Sequence, residues 1–167
     1  MKTKYLTSLA SMFVVSLTLN FSAFAISGQS YPLTPDRRVT PGVVCSLPIA
    51  KRYPQQISYC GRLVSPETKD QIFATYRNQL GYTFEAFDRS QYKIDHLVPL
   101  CAGGSNDIKN LWPQHISIAM MTDSLEELVC EKMSQGRLSQ RKAIELVFRA
   151  KRDPTHASYF YDIANRL

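Results

Sequence analysis

Apolar residues recur along this chain at two different spacings, and the changes between them outline its elements. Ile72, Phe73, Tyr76 and Leu80 fall three or four apart, which makes one stripe of a helix. Ser65-Pro66-Glu67 before them offers an N-cap serine and a first-turn proline, and Gly81 after them is a stop. Between Tyr92 and Leu100 the apolar positions Ile94, Val98 and Leu100 sit at even intervals, as in a strand that Pro99 ends or confines to a sheet edge. Gly103-Gly104-Ser105-Asn106-Asp107 reads as a turn, and a second short strand is expected around Leu111-Trp112. Helical spacing returns with Ile118, Met121, Leu125, Leu128 and Val129, stopped by Gly136. It resumes after Ser139 with Ala143, Ile144, Leu146, Val147 and Ala150, until Pro154. A short helix over 159–167 completes an α+β, mainly helical chain with no internal repeat.

Composition changes this picture mostly at the ends. Lys2 and Lys4, an apolar run through Met12, Phe13, Val14, Val15 and Leu17, and Ala23-Phe24-Ala25 have the form of a cleavable signal peptide over 1–25. Residues 26–42, rich in Ser, Gly, Pro and Arg, read as a flexible N-terminal arm, and 43–167 as a single domain. No second apolar stretch reaches the roughly 18 residues that span a bilayer, so a secreted or periplasmic protein is expected. The four cysteines suit an oxidising compartment and permit three pairings. The preferred one joins Cys45 to Cys60, a loop of about 15 residues, and Cys101 to Cys130, tying the turn to the helix beyond it. The formal charge of +6 is compatible with a polyanionic partner but does not demand one.

The chemistry is concentrated in Lys93 to Gln114, KIDHLVPLCAGGSNDIKNLWPQ. Hydrolysis of a phosphodiester needs a base to deprotonate water, a cation to stabilise phosphate charge, and a scaffold that aims both. Neutral His96 suits the base, and Asp95 is a hard oxygen ligand for a divalent ion. Asn110, across the turn, is placed to hydrogen-bond back and hold the strand bearing His96. Adjacent strand residues point to opposite faces, so Asp95 and His96 share one pocket only if the strand bends or twists near Pro99.

Asp95-His96-Leu97-Val98-Pro99-Leu100, Gly103-Gly104-Ser105-Asn106 and Asn110-Leu111-Trp112-Pro113-Gln114 together resemble the HNH endonuclease family. The similarity is greatest to its secreted bacterial branch, in which NLWP precedes a helix with a D-x-L-E element, here Asp123-Ser124-Leu125-Glu126. The resemblance covers about 93–136. It implies a disulfide-stabilised ββα-metal unit at about 92–136 with flanking helices, catalytic His96 and Asn110, and Asp95 as a metal ligand. The family commonly places a His or Asn on the helix after the second strand, where this chain has Ile116, Ile118 and Ala119. His115 and Asp123 are therefore the candidates for the remaining ligands, and Thr122 stands where relatives usually carry lysine. The implied cofactor is a divalent ion, Mg²⁺ first, with Mn²⁺ or Zn²⁺ as alternatives. The implied substrate is DNA or RNA. A second reading keeps the scaffold without catalysis, as a secreted protein that binds nucleic acid or another partner.

Overall fold

The computed structural model describes residues 31–84 and 89–167; the expected signal peptide, 1–25, and the start of the arm lie outside the described residues. The order is β1 (Ala50–Arg52), β2 (Ile57–Tyr59), α1 (Pro66–Leu80), β3 (Tyr92–His96), β4 (Leu111–His115), α2 (Ile116–Ser134), α3 (Gln140–Arg152) and α4 (Ala157–Arg166). The strands form two antiparallel hairpins, β1 with β2 and β3 with β4. An α+β fold, mainly helical, is therefore what the chain adopts.

Helix α1 starts and stops at the signals in its sequence. Ser65 accepts a hydrogen bond from the Thr68 amide, and Gly81 takes the left-handed conformation at φ 78°. Its face of Ile72, Phe73 and Tyr76 packs on the β3–β4 hairpin with Ile94, Leu111 and Ile118. A second core joins α2, α3 and α4 through Leu125, Val129, Met133, Leu146, Val147 and Phe160. Full burial of each such side chain contributes about 1.5–3 kcal/mol. The buried apolar residues of the hairpin, Ile94, Leu111 and Trp112, belong to the first of these cores, and Lys151 of α3 reaches its Asp95 face.

Both preferred disulfides are present, Cys45–Cys60 and Cys101–Cys130. The first anchors the segment ahead of α1, and the second ties the turn after β3 to α2. Residues 31–42, expected as a loose arm, lie against the domain instead. Thr40 is buried, meets the Tyr76 hydroxyl at 2.8 Å and donates to the Leu111 carbonyl. The β1–β2 hairpin had no signal in the sequence, because its strands are three residues long and β1 is wholly exposed.

The turn after β3 is packed as tightly as a core. A Cβ added at Gly104 would stand 1.9 Å from the Val98 carbonyl oxygen and 2.9 Å from that of Pro99. Both atoms are backbone, so relief requires the loop to open. Gly104→Ala is expected to lower the free energy of unfolding by about 1–3 kcal/mol, read from urea denaturation of the purified variant.

Candidate active site

Strand alternation decides where each side chain of the motif goes. In the register Lys93↔Gln114, Asp95↔Trp112 and His96↔Leu111, Lys93, Asp95, Trp112 and Gln114 share one face of the hairpin, and Ile94 and His96 share the other. β3 stays extended through His96. Asp95 and His96 accordingly occupy separate environments, and no bend brings them to one pocket.

Asp95 faces α2 and α3 and is buried. Its Oδ2 accepts from Lys151 Nζ at 2.6 Å and from Trp112 Nε1 at 3.1 Å, and Lys93 Nζ lies 3.8 Å from Oδ1. Burial alone would raise its pKa, but the neighbouring Lys151 ammonium outweighs that and holds the carboxyl below the usual range. Lys151, fully buried on α3, also donates to the His96 carbonyl at 2.7 Å and to Glu126 Oε2 at 2.9 Å. Burial opposes its charge, yet the two carboxylates raise its pKa above the ordinary lysine value. Glu126 is shifted upward, chiefly by burial.

His96, 2 % exposed, looks the other way. Asn106 Nδ2 donates to the Gly61 carbonyl, so the amide oxygen of Asn106 is the atom that faces the imidazole, at 3.0 Å from Nε2. Nε2 therefore carries the proton and Nδ1 holds the lone pair. That Nδ1 faces Arg62 Nη1 at 3.5 Å, and the same guanidinium donates to the Ile94 carbonyl at 2.8 Å. Arg62 is exposed, so the group that faces the lone pair reaches solvent.

Burial pushes the His96 pKa down to about 4, against the Asn106 bond and the charge of Asp95. Between that value and about 6.5 the unfolded chain binds a proton that the folded chain does not, so stability rises with pH across this window. On acidification from pH 7 to pH 4 this group is expected to remove about 3 kcal/mol of stability. Urea midpoints taken at intervals of pH should show the fall in the wild type and a shallower one in His96→Gln.

Asn110 is buried and fully used. Its Oδ1 accepts from the Val98 amide at 2.8 Å and the Val43 amide at 3.2 Å, and its Nδ2 donates to the carbonyls of Val98 and Ser105. The side chain thus spans the turn and fixes the backbone that follows His96, two residues before Val98. It touches neither the imidazole nor Asp95.

The remaining ligand candidates do not converge with Asp95. Asp123 is held by Lys93 Nζ at 2.7 and 2.8 Å. His115, at the far end of β4, caps α2 by accepting from the Ser117 amide, meets Gln91 Oε1 at 3.1 Å and stacks on Tyr31 with ring centres 4.1 Å apart. Among the described residues no group of three His, Cys, Asp or Glu side chains is placed to hold a metal ion. The donor set does not fit the divalent ion that the resemblance implies, because each expected ligand is engaged by a protein donor or backbone amide.

Sequence reasoning missed Arg62 and Asn106, and it placed Lys151 among the solvated basic residues that could meet phosphate, whereas the structure buries it against Asp95. Lys151 carried a signal: it lies four residues after Val147 and eight after Ala143, on the apolar stripe of α3, where a solvated lysine does not belong. Asn106 was visible as a turn residue and as the end of the Gly103-Gly104-Ser105-Asn106 element, without a role of its own, and nothing near Arg62 in sequence connects it to His96.

A cleft of about 430 Å³ opens beside the Asp95 face, lined by Lys93, Asp123, Glu126, Glu127 and Cys130. Its acids outnumber its single cation, a sign of charge that repels phosphate. No protein-family model matches this chain, and no curated protein and no solved structure matches it either.

Proposed function

We propose that this chain is an exported endonuclease of the HNH type, which hydrolyses phosphodiester bonds of DNA or RNA with His96 as general base. The observation that carries the reading is the state of that imidazole: neutral above about pH 4, with Nε2–H committed to Asn106 and the Nδ1 lone pair facing an exposed arginine. The order of strand, Gly-Gly turn, strand and helix agrees with the unit that the motif implies.

In this reading a phosphate draws Arg62 away from Nδ1, because a guanidinium binds phosphate oxygens in pairs and more strongly than it binds a neutral ring. Water then takes the vacated place, gives its proton to Nδ1 and attacks phosphorus while Arg62 balances the developing charge; the bond from phosphorus to the departing sugar oxygen breaks, that oxygen takes a proton from solvent, and the imidazolium returns its own proton to solvent. Asn106 and Asn110 hold the ring and the loop, so the water is aimed before the phosphate arrives.

The inactive reading has its own support, since the imidazole is 2 % exposed and the Asp95 carboxylate is saturated by Lys151 and Trp112. One experiment separates the two. Purified mature protein is incubated with supercoiled plasmid and with single-stranded RNA, and binding is followed in parallel by fluorescence anisotropy. Cleavage that depends on His96 supports the enzyme; saturable binding with intact nucleic acid supports the binding protein, and neither result would discard both.

A further inference from the structure

We infer that the Lys151 ammonium is the resident cation of the Asp95 and Glu126 carboxylates, standing where a divalent ion would bind, so that this hairpin-helix unit takes no metal there. The inference does not need the chain to be an enzyme.

Three oxygens from two elements converge on one nitrogen: Asp95 Oδ2 at 2.6 Å and the His96 carbonyl at 2.7 Å from β3, and Glu126 Oε2 at 2.9 Å from α2. Two carboxylates and a carbonyl are the hard donors that bind Mg²⁺ or Mn²⁺. An ammonium has three N–H donors, and here each has its acceptor. The Lys151 side chain has no exposed surface and Asp95 is 6 % exposed, so the position of the nitrogen is closed on the β3 side to the several waters that Mg²⁺ retains, and of the three donors Glu126, 27 % exposed, borders the cleft.

Charge points the same way. Lys151 and Lys93 stand against Asp95, Glu126 and Asp123, and Trp112 donates a further hydrogen bond to Asp95. A divalent ion entering this group would have to expel a buried ammonium whose affinity for its proton the two carboxylates have raised. The lysine is tethered, so its local concentration never falls, whereas the ion would have to be drawn from solution. Its aliphatic stem meanwhile packs within the α2–α3 core, and displacement would open a hole there.

The test uses the mature protein with its disulfides intact. Titration calorimetry with Mn²⁺ and with Mg²⁺ is expected to give no stoichiometric heat, and the thermal midpoint is expected to be the same in EDTA and in either ion. Lys151→Ala empties the nitrogen position while leaving the three oxygens. It is expected to bind one Mn²⁺ per chain and to melt higher in its presence, and adding Glu126→Gln should abolish both effects. Wild-type protein that binds one Mn²⁺ and loses it in Asp95→Asn would overturn the inference, as would a folded Lys151→Ala indifferent to Mn²⁺. If Lys151→Ala folds only when Mn²⁺ is supplied, the exchange of one cation for the other is displayed directly. If it folds under neither condition, the wild-type titration and melts decide alone.

Discussion

Lys151→Ala is expected to lower the free energy of unfolding in metal-free buffer by about 3–5 kcal/mol, a drop of about 10–18 °C in the thermal midpoint for a domain of this size. The reason is what the change leaves behind. Asp95 and the His96 carbonyl would face the space once filled by the ammonium, and Asp95 would keep only the Trp112 N–H and the more distant Lys93 as compensation. An unpaired charge in such a place is more costly than the intact pair is favourable, because both partners were already taken out of water when the chain folded. The same reasoning fixes the control. Lys151→Ala combined with Asp95→Ala removes both halves of the closest pair, and its loss should be smaller than the sum of the two single losses. Equal additivity, measured by denaturant unfolding of the four proteins, would mean that the contact is not coupled.

His96→Ala is expected to reduce plasmid cleavage by about 10²–10⁴-fold, the usual contribution of a positioned general base. The variant should remain folded, because the ring's direct hydrogen-bond partners are side chains of Asn106 and Arg62 rather than core backbone. Its circular dichroism and melt are the check on that. The pH profile gives an independent reading of the same group. With the folded imidazole titrating near 4 rather than near 6.5, the wild-type rate should lie on a plateau from about pH 5 upward. A rate that instead climbs between pH 6 and pH 7 would show a base that titrates near the ordinary histidine value, against the low value expected of this buried ring. An unchanged rate in His96→Ala would remove the catalytic proposal for this histidine outright.

Much of the architecture was written in local signals. The α1 boundaries follow from Ser65, Pro66 and Gly81, and the third helix starts at the Ser139 cap, which accepts from the Lys142 amide. Helix α2 begins two residues before the first of its apolar stripe because His115, not a serine or aspartate, caps it. The disulfide pairing was legible from loop length and from the wish to tie turn to helix. The arm at 31–42 was misjudged for a physical reason: it carries few large aliphatic residues, but it is held through Thr40 and Tyr76 by hydrogen bonds that no periodicity records.

The site divides in the same way. Sequence located His96, Asp95 and Asn110 in one short unit, and the bond pattern of Asn110 agrees with a residue that braces the turn. The partners of these residues come from far along the chain: Arg62 is 34 positions from His96, and Lys151 is 56 positions from Asp95. A local pattern has no means of naming them.

By itself the sequence determined the helices and the turn at Gly103-Gly104, because each depends on residues within one element, and it narrowed the cysteine pairs to a preferred one of three and named a candidate base. Only the tertiary structure decided that Asp95 and His96 face apart and that an ammonium rather than an assembled set of carboxylates and imidazoles sits at Asp95. Those outcomes depend on which helix lies over which face of the hairpin, and packing of distant segments, not local spacing, determines that.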